Sequence, residues 1–294
     1  MAADCRVTVL DNLSSGHREN LANCRGDINF IEGDIRDEAV LARATTDCEV
    51  IFHLAALVSV PRSVENPVES AAVNDRGTLE VLETARQSSV RRVVLSSSCA
   101  VYGDPAEMPV KETIPASPLS PYAAHKLAGE KHAADYSRMY GLEAVCLRYF
   151  NVYGPRQDPS SPYSGVISIF LERAIQGERP SIYGDGRQAR DFIFVDEVVV
   201  ANLLAARQSE ISGRVFNIGT GCQTTINQLW KEVRRLTNIE SNPEYMSVRD
   251  GDIRTSVADT RLAEEKLGFK ATTSLSAGLA RTYEWYKERL KSED

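Results

Sequence analysis

Tyr122 and Lys126 stand four positions apart, as Y-x-x-x-K, directly after Ser120 and Pro121. Serine is a favoured N-cap, proline a favoured first helical residue, and Gly141 a suitable stop, so the spacing predicts a helix over 121–140. Residues four apart share a helix face, which sets the Lys126 ammonium beside the Tyr122 phenol. Free tyrosine ionises at about pH 10, too high for a base at neutrality. A neighbouring cation and the helix N-terminal dipole both favour the phenolate, so the pair suits reversible removal of a proton from a hydroxyl. Ser98 closes the run Val94-Leu95-Ser96-Ser97-Ser98 and is placed to relay that proton or orient the hydroxyl. Taken singly, Y-x-x-x-K is commonly a packed tyrosine with a solvated lysine, and a serine triplet a strand end entering a turn. Together they are hard to attribute to packing.

The elements that position these groups follow from the apolar pattern. Short, mostly apolar β-rich runs occur at 6–10, 28–32, 50–54, 92–96 and 144–149, with helix-period stretches at 68–86 and 121–140 between them. Continuous apolar strands alternating with helices indicate an α/β fold. Its expected form is a doubly wound parallel sheet covered on both faces, with ligands at the carboxyl ends of the strands. Beyond Gly154, GPRQDPSSPYSG reads as a loop, followed by a helix at 166–176 and a strand at 181–183 entering Gly-Asp-Gly. Asp196 is expected to cap a helix running through 199–206. Amphipathic helices near 227–236 and 277–291 complete a smaller C-terminal lobe. His53, inside an apolar run, reads as a core histidine.

A dinucleotide-binding sheet normally opens with a strand, a Gly-rich turn and a helix whose N-terminus holds the pyrophosphate. Here CRVTVLDN reads as the second strand, ending in Asp11, a residue type that accepts from an adenosine ribose. No Gly-rich turn precedes it, so the expectation is a sheet lacking its first strand and that turn. Two explanations stand open: an incomplete chain, or a decayed protein that binds its ligand without turnover.

Composition narrows the partners. The chain has 294 residues, 34 Lys+Arg against 41 Asp+Glu, a net charge of −7, and 43% hydrophobic residues. That is globular composition, and a mildly acidic chain is poorly suited to nucleic acid or anionic lipid. Six scattered cysteines, without CxxC or zinc-type spacing, read as reduced thiols and leave no metal site expected. With no signal-peptide pattern and no apolar run of roughly 20 residues, the expectation is a cytoplasmic protein without membrane contact.

The stretches VTVLDNLSSG, EGDIRD, IFHLAA, SVPRSVENP, VNDRGT, LSSSCAVYGDP, SPYAAHKLAGE, LRYFNVYGPRQDP, YGDGRQARDFIFVDEVVVA, FNIGTG and VRDGDIRTSVAD occur in order along nearly the whole chain. In them the sequence resembles the extended short-chain dehydrogenase/reductase family, of the NAD-dependent epimerase/dehydratase type. The nearest resemblance is to nucleotide-sugar 4-epimerases acting on UDP-glucose or UDP-N-acetylglucosamine. The resemblance implies a Rossmann-like fold, with 1–154 plus about 187–220 binding the dinucleotide and 155–186 plus 221–294 forming the substrate lobe. It implies Ser98, Tyr122 and Lys126 as the catalytic set. NAD would be lined by Asp11, Asn12, Asp34, Ile35, Leu54, Ala55, Ala56, Asn74, Ser96, Tyr122, Lys126 and Tyr149. Substrate would meet Ser98, Asn151, Arg190, Arg249, Asp252 and Ser256.

The implied reaction oxidises the sugar at C4 to a ketone and reduces it from the opposite face, with NAD as carrier. Dehydratase and decarboxylase relatives need a carboxylate after the strand-end hydroxyl, where this chain has Cys99 and Ala100. Ser256 matches a position bordering the sugar C2 group, and its small size implies that N-acetylated sugars are admitted. A homodimer through 68–86 and 121–140 is implied as well. Plainer readings remain for single residues: Asp34 as a turn residue, Arg190 paired with Asp191 or a neighbouring acid, and Arg249 paired with Asp252.

Overall fold

β-Branched and aromatic residues in VTVLD and INFIE favour extended backbone. In the computed structural model, which describes residues 5–22, 24, 28–157, 165–248, 251 and 253–293, they form β1 (Val7–Asp11) and β2 (Ile28–Glu32). The two pair in parallel, Val7 opposite Ile28 and Asp11 opposite Glu32. Asp37 accepts from the N–H groups of Ala39 and Val40 and so caps α1 (Glu38–Ala44). Next come β3 (Val50–His53), α2 (Val60–Glu65) and α3 (Pro67–Ala71), the helices capped by Ser59 and Asn66 with a proline in each first turn.

The single helix expected over 68–86 is interrupted. α3 passes through a π-helical turn at Ala72–Arg76 before α4 (Gly77–Gln87). The wider turn is stabilised where Asn74 accepts from the backbone N–H of Leu57 and donates to the carbonyl of the same residue. β4 (Arg92–Ser98) lies parallel to β3, Val50 opposite Arg92 and His53 opposite Leu95. α5 (Pro121–Tyr140) has the bounds that the caps predicted, ending at Gly141 in the left-handed region (φ 71°). β5 (Glu143–Tyr149) lies on the other side of β4.

Apart from Ser98 of β4 and Leu147–Tyr149 of β5, these elements belong to a compact unit made of Met1–Ser97, Ser120–Cys146 and Ser209–Arg214. One of its cores gathers Ile35, Leu41 and Val81, with Leu10 and Ile51 against them.

The second unit is Ser98–Leu119, Leu147–Gln208 and Val215–Asp294. It contains β6 (Asn151–Tyr153), α6 (Val166–Ile175), β7 (Ser181–Tyr183), β8 (Ala189–Arg190), β9 (Phe192–Phe194) and α7 (Val195–Arg207). After them come β10 (Val215–Ile218), β11 (Thr224–Thr225), α8 (Ile226–Thr237), β12 (Glu244–Met246), β13 (Thr255–Ser256), α9 (Arg261–Leu267) and α10 (Leu275–Glu293). β6 pairs with β9, and β8 runs between β11 and β13. Phe170, Leu229, Trp230 and Tyr286 are central to its apolar core. Asp196 is not a cap. α7 begins one residue earlier, at Val195, and Asp196 sits in its first turn, paired with Arg281 at 2.7 Å. Among the described residues no helix is long and apolar enough to cross a membrane.

Candidate active site

The first turn of α5 is held at two N–H groups. Ser120 Oγ accepts from Ala123 N at 3.2 Å, and Ser63 Oγ from Tyr122 N at 3.1 Å. Tyr122 (9% exposed) and Lys126 (7%) therefore sit on the buried face of the helix. Lys126 Nζ donates to the Ser96 carbonyl at 2.8 Å, lies 3.5 Å from Ser96 Oγ, and stands 6.0 Å from the centre of the Tyr122 ring. Burial pushes the Lys126 ammonium down to about 8. The arrangement is a desolvated cation beside a phenol, anchored by a strand carbonyl rather than by a carboxylate. It suits a hydroxyl that must lose and regain a proton.

His53 lies in the core, as its run implied. Thr78 Oγ1 donates to the Asn74 carbonyl at 2.7 Å, so His53 Nε2 is the donor in its 2.9 Å bond to Thr78 Oγ1. Burial, helped by the Lys126 charge, pushes the imidazole down to about 3. It is a neutral structural group at physiological pH.

At the carboxyl ends of the first strands, Asp11 Oδ1 accepts from Leu13 N at 2.7 Å. Its other oxygen faces Gly16, where a Cβ would come within 3.3 Å. Asn12 Nδ2 donates to Asp34 Oδ2 at 3.0 Å. Asp34 is also gripped by the Arg36 guanidinium at 2.8 and 2.7 Å, which holds its carboxyl well below the usual range. Ile35 packs into the core. Leu54 (56% exposed) and Ala55 present apolar surface just beyond β3. Ala56 is half-buried, and Asn74 clamps the following Leu57 peptide at 2.8 and 2.9 Å.

In the second unit, Ser98 Oγ accepts from Ala100 N at 3.2 Å and so caps the turn that follows β4. The Cys99 thiol hydrogen-bonds Ser256, and burial pushes it up to about 11, so it stays protonated. Arg190 acts electrostatically on the same thiol. The Tyr149 hydroxyl meets the Asn202 amide at 3.0 and 2.8 Å, and burial raises it to about 12. Asn151 Oδ1 is buried with no hydrogen-bond partner among the described residues. Arg249 and Asp252 lie outside the described residues.

Asp191, which the sequence offered only as a possible mate for Arg190, is a hub. Its fully buried carboxylate accepts from Thr220 N (2.8 Å), Thr220 Oγ1 (2.6 Å), Gly221 N (2.9 Å) and Ala258 N (3.2 Å). A Cβ on Gly219 would lie 2.6 Å from Asp191 Oδ2. FNIGTG is thus a glycine loop wrapped round a protein carboxylate, not a phosphate cradle. Sequence reasoning also passed over Ser63 as an anchor for the first turn of α5. No local spacing marks that role, although SVPRSVENP itself drew attention.

Residues 1–219 match the model of the NAD dependent epimerase/dehydratase family. The chain is 40% identical over 287 residues to a UDP-glucose 4-epimerase of Mycolicibacterium smegmatis, covering 96% of this chain and 91% of that one. It is similar to the crystal structure of a UDP-glucose 4-epimerase from Thermotoga maritima with UDP-glucose, at TM-score 0.92 and 42% identity, covering 97% and 92% of the two chains. It is similar too to a UDP-N-acetylglucosamine 4-epimerase from Methanobrevibacter ruminantium in complex with UDP-N-acetylmuramic acid. There the TM-score is 0.93 and the identity 40%, over 97% and 91% of the chains. The Rossmann-like α/β reading of the sequence agrees with these structures.

Proposed function

The chain belongs to the NAD dependent epimerase/dehydratase family, and from that premise we propose that it is a nucleotide-sugar 4-epimerase acting on a UDP-hexose. The observation that carries the reading is the buried Lys126 ammonium, held by the Ser96 carbonyl and facing the Tyr122 ring. Tyr122 takes the proton from the sugar C4 hydroxyl and later returns it. Lys126 stabilises the phenolate, and Ser98 hydrogen-bonds the reacting oxygen. NAD, when bound, supplies the reversible oxidation at C4 that passes through a 4-keto sugar.

The residues of this chain fit that cofactor. The Asp11 oxygen beside Gly16 suits a ribose hydroxyl, with Asn12, Asp34 and Ile35 around the adenine. Exposed Leu54 and Ala55 offer an apolar floor at a strand end, where dinucleotides lie. Ala56, Asn74, Ser96 and Tyr149 complete our assignment, the substrate side being Asn151, Arg190, Arg249, Asp252 and Ser256. The orphan Asn151 oxygen suits a sugar hydroxyl. Elimination chemistry is disfavoured because the residues after Ser98 are a thiol held protonated and an alanine.

The small Ser256 leaves room at C2, so we assign both the N-acetylated and the plain UDP-hexose pairs as substrates. Incubating the protein with NAD and either UDP-GlcNAc or UDP-glucose, then separating products, should show the C4 epimer of each. Turnover of neither rejects the function, and turnover of the plain pair alone rejects the C2 argument. Ser256→Tyr should cut kcat/KM for UDP-GlcNAc by about 10–100-fold and leave UDP-glucose within a few-fold.

We also place a homodimer on α4 and α5, where Leu79, Met139 and Tyr140 are exposed. Sedimentation giving the monomer mass at micromolar concentration would reject it. None of the six cysteines forms a disulfide, which supports a reducing, cytoplasmic location.

A further inference from the structure

α5 carries one more buried charged group, which the proton-transfer reading leaves unused. Glu130 lies one turn beyond Lys126, so Tyr122, Lys126 and Glu130 form a stripe at intervals of four. It is 5% exposed. Ser97 Oγ donates to Glu130 Oε1 at 2.5 Å, and Ser97 is the immediate neighbour of the Ser96 whose carbonyl holds Lys126. Gly129 allows the close approach, since a Cβ there would meet Thr78 Cγ2 at 3.3 Å and Leu95 Cδ2 at 3.4 Å.

Burying a carboxylate costs several kcal/mol unless strong hydrogen bonds offset it, so a position needing only bulk is better served by an apolar side chain. A charged acceptor here gives direction instead. Its bond to a strand hydroxyl resists both rotation of α5 and sliding of the helix along β4. The Lys126–Ser96 bond and the placing of Tyr122 depend on that same register, and an error of about 1 Å in such a set costs about 100-fold in rate.

We propose that Glu130 is a positioning residue for the proton-transfer pair. Through Ser97 it locks α5 onto β4, so that the Lys126 ammonium meets the Ser96 carbonyl and stays beside Tyr122. It touches no reacting atom itself. The proposal rests on the reading of Tyr122 and Lys126 as the proton-transfer pair.

The test compares Glu130→Ala, Glu130→Gln, Ser97→Ala and the double variant Ser97→Ala/Glu130→Ala. Glu130→Ala and Ser97→Ala should each lower kcat by about 10–100-fold with KM within about threefold. Both should move the acid limb of the kcat profile to higher pH, because a displaced cation favours the phenolate less. The double variant should be no worse than the worse single one, as expected of two partners in one bond. Glu130→Gln keeps an acceptor oxygen for Ser97 and should recover most of the loss.

A second readout needs no turnover. The ultraviolet tyrosinate titration of each variant, less that of the same variant carrying Tyr122→Phe, should move upward in pH with Glu130→Ala and Ser97→Ala. If Glu130→Ala does not fold, Ser97→Ala carries the same test with a smaller change. An unmoved acid limb and unmoved tyrosinate titration, with only a lower Tm, would mean that Glu130 merely packs, and the proposal fails. A wild-type protein inactive on every UDP-sugar, with variants that still show the tyrosinate shift, would sink the epimerase reading and leave the positioning role standing.

Discussion

Tyr122→Phe is expected to abolish nearly all turnover, lowering kcat by roughly 100- to 10,000-fold with little change in KM. The ring is buried on the inner face of α5, and phenylalanine fills the same space. The first-turn backbone bond from Tyr122 N to Ser63 Oγ does not depend on the side chain. Removing one oxygen therefore removes the proton acceptor and leaves the helix in place. Steady-state kinetics on a UDP-hexose, with a thermal melt to confirm folding, decide the matter. A variant keeping more than about a tenth of wild-type kcat would show that another group takes the proton.

Lys126→Met should separate activity from stability. A buried lysine pushed from 10.5 down to about 8 binds its proton less tightly folded than unfolded. The sign follows directly. Stability linked to this group is complete above about pH 10.5, falls as pH drops, and is fully lost below about 8. At neutral pH the buried cation therefore opposes folding by an amount of order 3 kcal/mol, at about 1.4 kcal/mol per pH unit. Methionine removes that opposition and leaves the Ser96 carbonyl without its donor, which costs about 1–3 kcal/mol. The two nearly cancel, so Tm at pH 7 should stay close to wild type.

Activity should not survive the change. Without the cation the phenolate is disfavoured, and kcat should fall by about 100-fold or more. In the wild type, kcat should decline as pH rises through about 8, where Lys126 loses its proton. A Lys126→Met protein that keeps wild-type turnover, or a wild-type profile flat from pH 7 to well above 8, would remove Lys126 from the chemistry.

How much of this could be read in the sequence depended on distance along the chain. The helix bearing Tyr122 and Lys126 has the bounds its own caps specify, because Ser120, Pro121 and Gly141 act on adjacent backbone groups. The strand ending in Ser98 was equally readable from a continuous apolar run. Two local readings failed for local reasons. The stretch from 68 to 86 has helical periodicity throughout, but periodicity does not register the π-helical turn that brings Asn74 to Leu57. Asp196 has a capping side chain, yet α7 starts before it at Val195.

Chemical type and helix spacing, which act through neighbouring residues, were determined by the amino-acid order alone: a phenol and an ammonium on one face, and a hydroxyl at a strand end. The tertiary structure alone decided which of these groups is dehydrated and what holds it. Glu130 finds Ser97 across 33 positions, Tyr122 N finds Ser63 across 59, and Asp191 finds Ala258 across 67. No local pattern encodes such pairings. A buried polar group is satisfied by whatever partner the packed chain brings within about 3 Å, and burial, not composition, sets how tightly Lys126 keeps its proton.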